Sequence, residues 1–130
     1  MNHTLSITVF ITGILLLWFY QRGGIDKNRI EPAEAKKRLE TEKGIIVLDV
    51  RTPGEYFEKH IPKSTLIPLN TLAKEAGSKL RDKEATIFVY CRSGNRSRAA
   101  VRILLRQGFT NIFNLGGLNR WPYKTVSGKK

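Results

Sequence analysis

The sequence predicts an α/β domain, a mainly parallel sheet with helices on both faces, preceded by one membrane-spanning helix. Three observations predict it. Short β-branched runs alternate with segments of helical period, which requires crossover connections. The chain has 130 residues, 41% of them apolar, enough for one folded domain and too few for two ordinary ones. And no Lys, Arg, Asp or Glu precedes Arg22, although charged residues make up 26% of the chain.

The charge-free leader comes first. Leu5 to Tyr20 reads LSITVFITGILLLWFY, which as a helix covers roughly 24 Å. With its polar flanks it just reaches the ~30 Å of a bilayer core. Residues 4–21 are therefore expected to be a transmembrane helix, with Trp18 and Tyr20 at the interface. A cleaved signal peptide would carry a basic start and a small-residue cleavage site, and neither is present. Arg22, Lys27 and Arg29 follow the segment, so the positive-inside rule keeps the rest of the chain in the cytoplasm. A single pass through a bacterial inner membrane is the expected localisation. Residues 22–29, including GGIDKN, are expected to be a flexible linker.

The domain is expected over residues 30–124, with a basic tail over 125–130. Glu31 to Lys43 predicts a helix: Pro32 suits the first turn, acids lead, bases follow, and Gly44 ends it. Ile45 to Val50 is a buried strand. Thr52 to His60 is a turn and short helix. Ser64 to Leu69 is a short strand closed by Pro68, and Asn70 caps a helix to Leu80. Thr86 to Cys91 is another buried strand. Arg96 to Gly108 carries an apolar stripe at positions 100, 101, 104 and 105 and ends in glycine. Asn111 to Leu115 is the last strand, followed by a Gly-rich turn. The sheet thus has roughly four or five strands.

The chemistry concentrates at Tyr90 to Arg98, YCRSGNRSR. This loop joins a strand's carboxyl end to a helix N-terminus, where sites form in parallel sheets and where free N–H groups attract anions. Gly94 permits the curl that turns successive amides into a nest. Arg92, Arg96 and Arg98 add positive charge. A cysteine at the mouth of such a cradle is biased towards the nucleophilic thiolate. Cys91 is the chain's single cysteine, so it has no disulfide partner within the chain. The competing reading is an inert buried thiol at a strand end.

Several segments resemble single-domain rhodaneses, the thiosulfate-type sulfurtransferases. Leu48 to Arg51 (LDVR) with Pro53 to Tyr56 resembles their early motif. His60 to Pro62 resembles their G-H-I-P-G-A segment, with Lys59, Lys63 and Ser64 replacing small residues. Val89 to Ser97 resembles the active-site loop, and Leu115 to Pro122 the closing L-x-G-G-x-x-x-W motif. The resemblance implies a rhodanese-like fold and a persulfide cycle. Cys91 takes a sulfur from thiosulfate or a persulfide donor and passes it to cyanide or a thiol. It implies that the loop residues Arg92, Ser93, Gly94, Asn95 and Arg96 bind the substrate, and that neither metal nor organic cofactor is needed. Asp49, Arg51 and His60 are expected to be structural, and Trp121 a packing residue near the site.

Two alternatives stand beside this reading. A non-enzymatic, membrane-tethered persulfide carrier would use the same Cys91. A cysteine phosphatase would need C-x5-R, whereas here Ser97 occupies the sixth position after the cysteine. The net charge of +12 fits anionic sulfur donors and anionic lipid, with Lys36, Lys37 and Arg38 as lipid-facing candidates. No nucleic-acid partner is expected, because no nucleic-acid reading motif is present.

Overall fold

The computed structural model describes residues 3–22 and 26–129, with side chains over 6–20 and 26–129. Helix α1 spans His3–Arg22. The domain follows as α2 (Pro32–Thr41), β1 (Ile46–Asp49), α3 (Pro53–Glu58), β2 (Thr65–Leu66) and α4 (Leu69–Lys79). It continues with β3 (Thr86–Cys91), α5 (Asn95–Arg106), β4 (Asn111–Gly117) and a 3-10 turn at Leu118–Arg120. The sheet is four-stranded, in the order β2-β1-β3-β4, and every pairing is parallel.

Alternation along the two central strands sorts the core into two layers. Leu48, Val50, Ile87, Val89 and Cys91 face α4 and α5, joining Leu72, Ala76, Val101 and Leu104. Val47, Phe88 and Tyr90 point the other way and pack with Ile30, Ala35, Ile61 and Leu118. A strand buried on both faces has no polar side to show, which is why its sequence is a continuous apolar run. Cys91 is thus the last member of an apolar column, at the carboxyl edge of the sheet.

Most elements fall where the sequence puts them, with instructive shifts. Asn70 is not a cap: α4 begins one residue earlier, behind Pro68. There the Leu69 N–H bonds the Val50 carbonyl at 3.0 Å, so the strand end supplies the partner a cap side chain would have given. The strand expected over Ser64 to Leu69 shrinks to two residues.

The segments on either side of the expected domain make contacts with it. Residues 23–25 lie outside the described residues. Asp26 to Asn28, however, docks on β4: Asn114 N–H bonds the Asn28 carbonyl at 2.7 Å, and Ile30 N–H bonds the Asn114 carbonyl at 3.0 Å. The Asn28 side chain donates to the Ile112 carbonyl at 3.0 Å. Four residues earlier than expected, the chain is already part of the domain. At the other end, Val126 bridges His60 and the Gly128 N–H bonds the Phe57 carbonyl at 2.8 Å, so most of the tail belongs to the fold.

The leader is helical, and its large apolar side chains over 7–20 are exposed, Phe19 by 71%. Among the described residues no helix is long and apolar enough to cross a membrane, so the fold does not bear out the spanning anchor expected from the sequence. The expected lipid-facing basic cluster is also largely spent. Lys36 pairs with Glu40 at 3.0 Å. Arg38 pairs with Glu42 at 2.6 Å and lies over the Phe113 ring. Surface pairs at this spacing form because residues four apart on a helix are neighbours.

Candidate active site

The site is built where β3 ends and α5 begins. Gly94 takes φ 107°, a left-handed value that lets the chain curl back on itself. The curl brings the Gly94 N–H within 3.0 Å of the Cys91 sulfur. The Cys91 Sγ also lies 3.7 Å from the Ser97 hydroxyl. Burial works against a thiolate here. The amide and hydroxyl of Ser97, with the amides of Gly94 and Ser93, outweigh it and lower the Cys91 pKa from the ordinary thiol value. These donors favour the charged form because they pair only weakly with a neutral thiol.

The other strand of this corner makes the curl fit. The β3–β4 register slips between Val89 and Tyr90, so that Val89 faces Asn114 but Cys91 faces Gly117. A β-carbon at Gly117 would collide with the Arg92 carbonyl and the Ser93 backbone. The bulge therefore carries a bare backbone to the point where the loop must pass closest.

Behind the sulfur runs a buried polar chain. Ser97 Oγ lies 2.7 Å from Asn114 Oδ1, which also accepts from the Gly116 N–H at 2.9 Å. Asn114 Nδ2 donates to Asp26 Oδ2 at 2.8 Å. Asp26 thereby fixes which way the amide points, with its oxygen towards Ser97. Ser97 has one hydroxyl proton for Asn114, the Gly94 carbonyl at 3.0 Å and a Cys91 thiolate, so its orientation responds to the state of the sulfur.

The sequence-predicted residues divide in two. The backbones of Ser93 and Gly94 supply donors to Sγ. The Arg96 side chain forms a two-pronged pair with Glu55, at 2.7 and 2.9 Å, and acts on Cys91 only through space. That contact, with the Thr52 cap, draws the Glu55 carboxyl down to about 2, against a smaller opposing effect of burial. Arg92 and Asn95 are exposed. Arg92 lines a cleft with Lys59, Glu58 and Asn119. Asn95 lines a second, small cleft with Arg98 and Arg120.

Sequence reasoning missed Ser97, Asn114, Asp26 and Glu55. A signal existed for Ser97, three positions after the αL glycine, and for Glu55, in the T-x-x-E pattern of a capping box. Nothing local marks Asn114 or Asp26, whose contact spans 88 positions.

Asp49 and Arg51 form the expected charge pair: Arg51 Nη2 sits 2.7 Å from Asp49, with both side chains nearly inaccessible. His60 is buried against Tyr56, ring centroids 3.7 Å apart. Its Nδ1 lies 2.8 Å from the Tyr56 carbonyl. Trp121 packs with Tyr123 and lines a groove with Leu39, Ile45 and Ile61.

The domain is a parallel α/β sheet with a cysteine at a strand end, its sulfur within reach of backbone amides. Its residues 31–123 match the rhodanese-like domain model, and the chain belongs to that family. It is 35% identical over 81 residues to the thiosulfate sulfurtransferase PspE of Escherichia coli, covering 62% of this chain and 78% of PspE. It is 32% identical over 108 residues to the thiosulfate sulfurtransferase GlpE of Pseudomonas syringae, covering 77% of this chain and 95% of GlpE. The chain spans 64% of the length of a further relative from Bacillus subtilis. Among solved structures, it superposes on a rhodanese with anions from E. coli with TM-score 0.61 and 33% identity, over 65% of this chain and 99% of the other. On the rhodanese-like domain of the Anabaena protein Alr3790 the TM-score is 0.72 at 30% identity, over 78% and 80%.

Proposed function

We propose that this chain is a sulfurtransferase that moves sulfane sulfur from thiosulfate or a persulfide donor to a thiophilic acceptor through a Cys91 persulfide. The observation that carries the reading is the Gly94 N–H on Sγ at 3.0 Å, within a loop that lowers the Cys91 pKa. The thiolate attacks the outer sulfur of thiosulfate. The S–S bond of the donor breaks and its electron pair leaves with sulfite. Cys91 then bears an S–S⁻ group, whose outer charge falls to the backbone donors of residues 92–96. Such donors need no reorganisation as charge arrives. Cyanide or a thiolate next attacks the outer sulfur, and the Cys91 thiolate departs. Arg92, exposed beside Lys59, attracts the anionic donor.

The test is intact mass after incubation with thiosulfate in the absence of reductant. The expected result is one added sulfur atom, absent in Cys91→Ser, followed by thiocyanate formation when cyanide is added. No added mass would overturn the reading. Stoichiometric loading without turnover would make the protein a carrier.

We further propose that the leader holds the domain at the cytoplasmic face of a membrane. What supports this is the exposed apolar surface over 7–20 and the absence of charge before Arg22. Retention of the protein in the membrane fraction after alkaline carbonate extraction is expected. Its release by that wash would end the proposal.

A further inference from the structure

Helix α5 carries a feature that sulfur chemistry at Cys91 does not use. Its inner face buries Ser97, Ala100, Val101 and Leu104. Its outer face bears Arg98, Arg102 and Arg106, all exposed. Their spacing of four places them in one row, about 12 Å long from first to last. The helix NRSRAAVRILLR contains no acidic residue. Among the described residues no carboxylate pairs with any of the three, although Arg29, Lys36, Arg38, Arg51, Lys79 and Arg96 all find one. Three like charges in a row repel, so the row costs the isolated domain stability and gains only when something anionic covers it.

The row begins at the catalytic loop. Arg98 lines the same cleft as Ser93, Gly94 and Asn95, and exposed Arg120 lines it too. The carboxylates at that cleft are taken: Glu31 by Arg29 at 2.9 Å and Asp26 by Asn114 at 2.8 Å. A ligand lying along the arginines therefore reaches the loop with one end.

We propose that the arginine row on α5, with Arg120, is the docking surface for an acidic protein segment that exchanges sulfur with Cys91. This deepens the sulfurtransferase reading and rests on it. The chemistry selects the partner. Guanidinium forks match carboxylates two-pronged, and a partner helix with acids four apart presents them at the same pitch. Lipid headgroups and nucleic acid also carry anions, but they bring no thiol to the loop. An acidic protein segment bearing a cysteine supplies both from one molecule. The cysteine thiolate attacks the outer sulfur of the Cys91 persulfide, the S–S bond breaks, and the Cys91 thiolate leaves. The sulfur becomes the partner's persulfide with no net oxidation.

The probe is a synthetic helical peptide with Glu at three positions four apart and one terminal cysteine. Its control has Lys at those positions. Binding to the full chain is read by fluorescence anisotropy. Sulfur acceptance from the loaded protein is read against 2-mercaptoethanol. The acidic peptide is expected to bind, and to accept sulfur with roughly tenfold or greater advantage in kcat/KM at low salt. Added salt and the Arg102→Glu/Arg106→Glu variant should remove that advantage, while thiosulfate–cyanide turnover stays unchanged. Equal binding of the Lys peptide, or an advantage that survives the charge reversal, would overturn the docking surface. So would arginine-dependent binding confined to phosphatidylglycerol vesicles or to single-stranded oligonucleotides. Anisotropy needs no sulfur on Cys91, so peptide binding without any persulfide would count against the sulfurtransferase reading alone.

Discussion

The two central strands end side by side, with Asp49 of β1 opposite Tyr90 of β3, yet their ends hold charge in opposite ways. At β1 the charges are closed on each other. Asp49 and Arg51 pair through Arg51 Nε as well as Nη2, and Arg51 also bonds the Lys59 carbonyl at 2.6 Å. Tyr90 seals the knot by accepting the Ile61 N–H at 3.1 Å. Burial and the Asp49 carboxylate hold the Tyr90 hydroxyl well above its usual pKa. At β3, among the described residues, the Cys91 sulfur has no ion-pair partner in contact, although the Arg96 charge acts on it through space. Its donors are backbone amides and one hydroxyl. One end closes its charges on each other; the other surrounds its sulfur mainly with dipoles. That difference, more than position in the sheet, separates the scaffold from the site.

The largest expected effect is at the closed end. Arg51→Met leaves Asp49 buried without its partner, which should cost about 3–5 kcal/mol, read by urea unfolding. A loss below about 1 kcal/mol would mean that the pair is not the closed unit described. Next comes Gly117→Ala at the open end. The added methyl group pushes on the Arg92 and Ser93 backbone at an overpacking cost of about 1–3 kcal/mol. Persulfide formation should fall far more than stability does, because the loop itself must move. Equal and small changes in both would break the assignment of Gly117 to the cradle.

Ser97→Ala sharpens the comparison through pH. The hydroxyl helps lower the Cys91 pKa, so its loss should move the midpoint of iodoacetamide alkylation upward, with the amides retaining part of the effect. An unmoved midpoint would confine stabilisation of the thiolate to the backbone. Glu55→Gln tests the ion pair between the two ends. The Glu55 pKa is about 2 in the folded chain against an ordinary 4.5. Its contribution to stability is therefore complete above about pH 4.5 and is lost as the pH falls towards 2. The variant should be less stable near neutrality and should flatten the acid limb in that window. The smallest effect has the opposite sign. Lys63 sits at φ 63°, a conformation that glycine adopts without penalty, so Lys63→Gly should stabilise by about 1 kcal/mol or less. Thiosulfate–cyanide turnover should not change.

How much of this was legible in the sequence follows from range. The strand Thr86–Cys91 agrees residue for residue with expectation, because a run buried on both faces declares itself. Cys91, Gly94 and the loop amides were legible because strand, turn and helix start are contiguous. The lysine at position 63 marked a departure from the small residue expected there, and the structure keeps the turn with strained backbone. Asn114, Asp26 and the Glu55–Arg96 pair were hidden, since their partners lie 17, 88 and 41 positions away. Arg96 is expected at the site through its loop amide and the family resemblance as well as its charge, and its side chain is engaged elsewhere. Its actual partner comes from a helix that local pattern cannot place. The apolar leader was legible as apolar and helical, but spanning is a matter of length and surroundings, not of composition alone.

The chain from Cys91 through Ser97 and Asn114 to Asp26 also sets an order of events. On the ribosome, Asp26 emerges long before Cys91, and Asn114 emerges last of the four. Until β4 is laid down, the amide that orients Ser97 is missing, and so are Gly117 and the bulge that shape the loop. The polar surroundings of Cys91 are therefore complete only when both ends of the domain have met. An unfinished chain lacks part of that donor network, so the lowered pKa of Cys91 belongs in full to the folded domain.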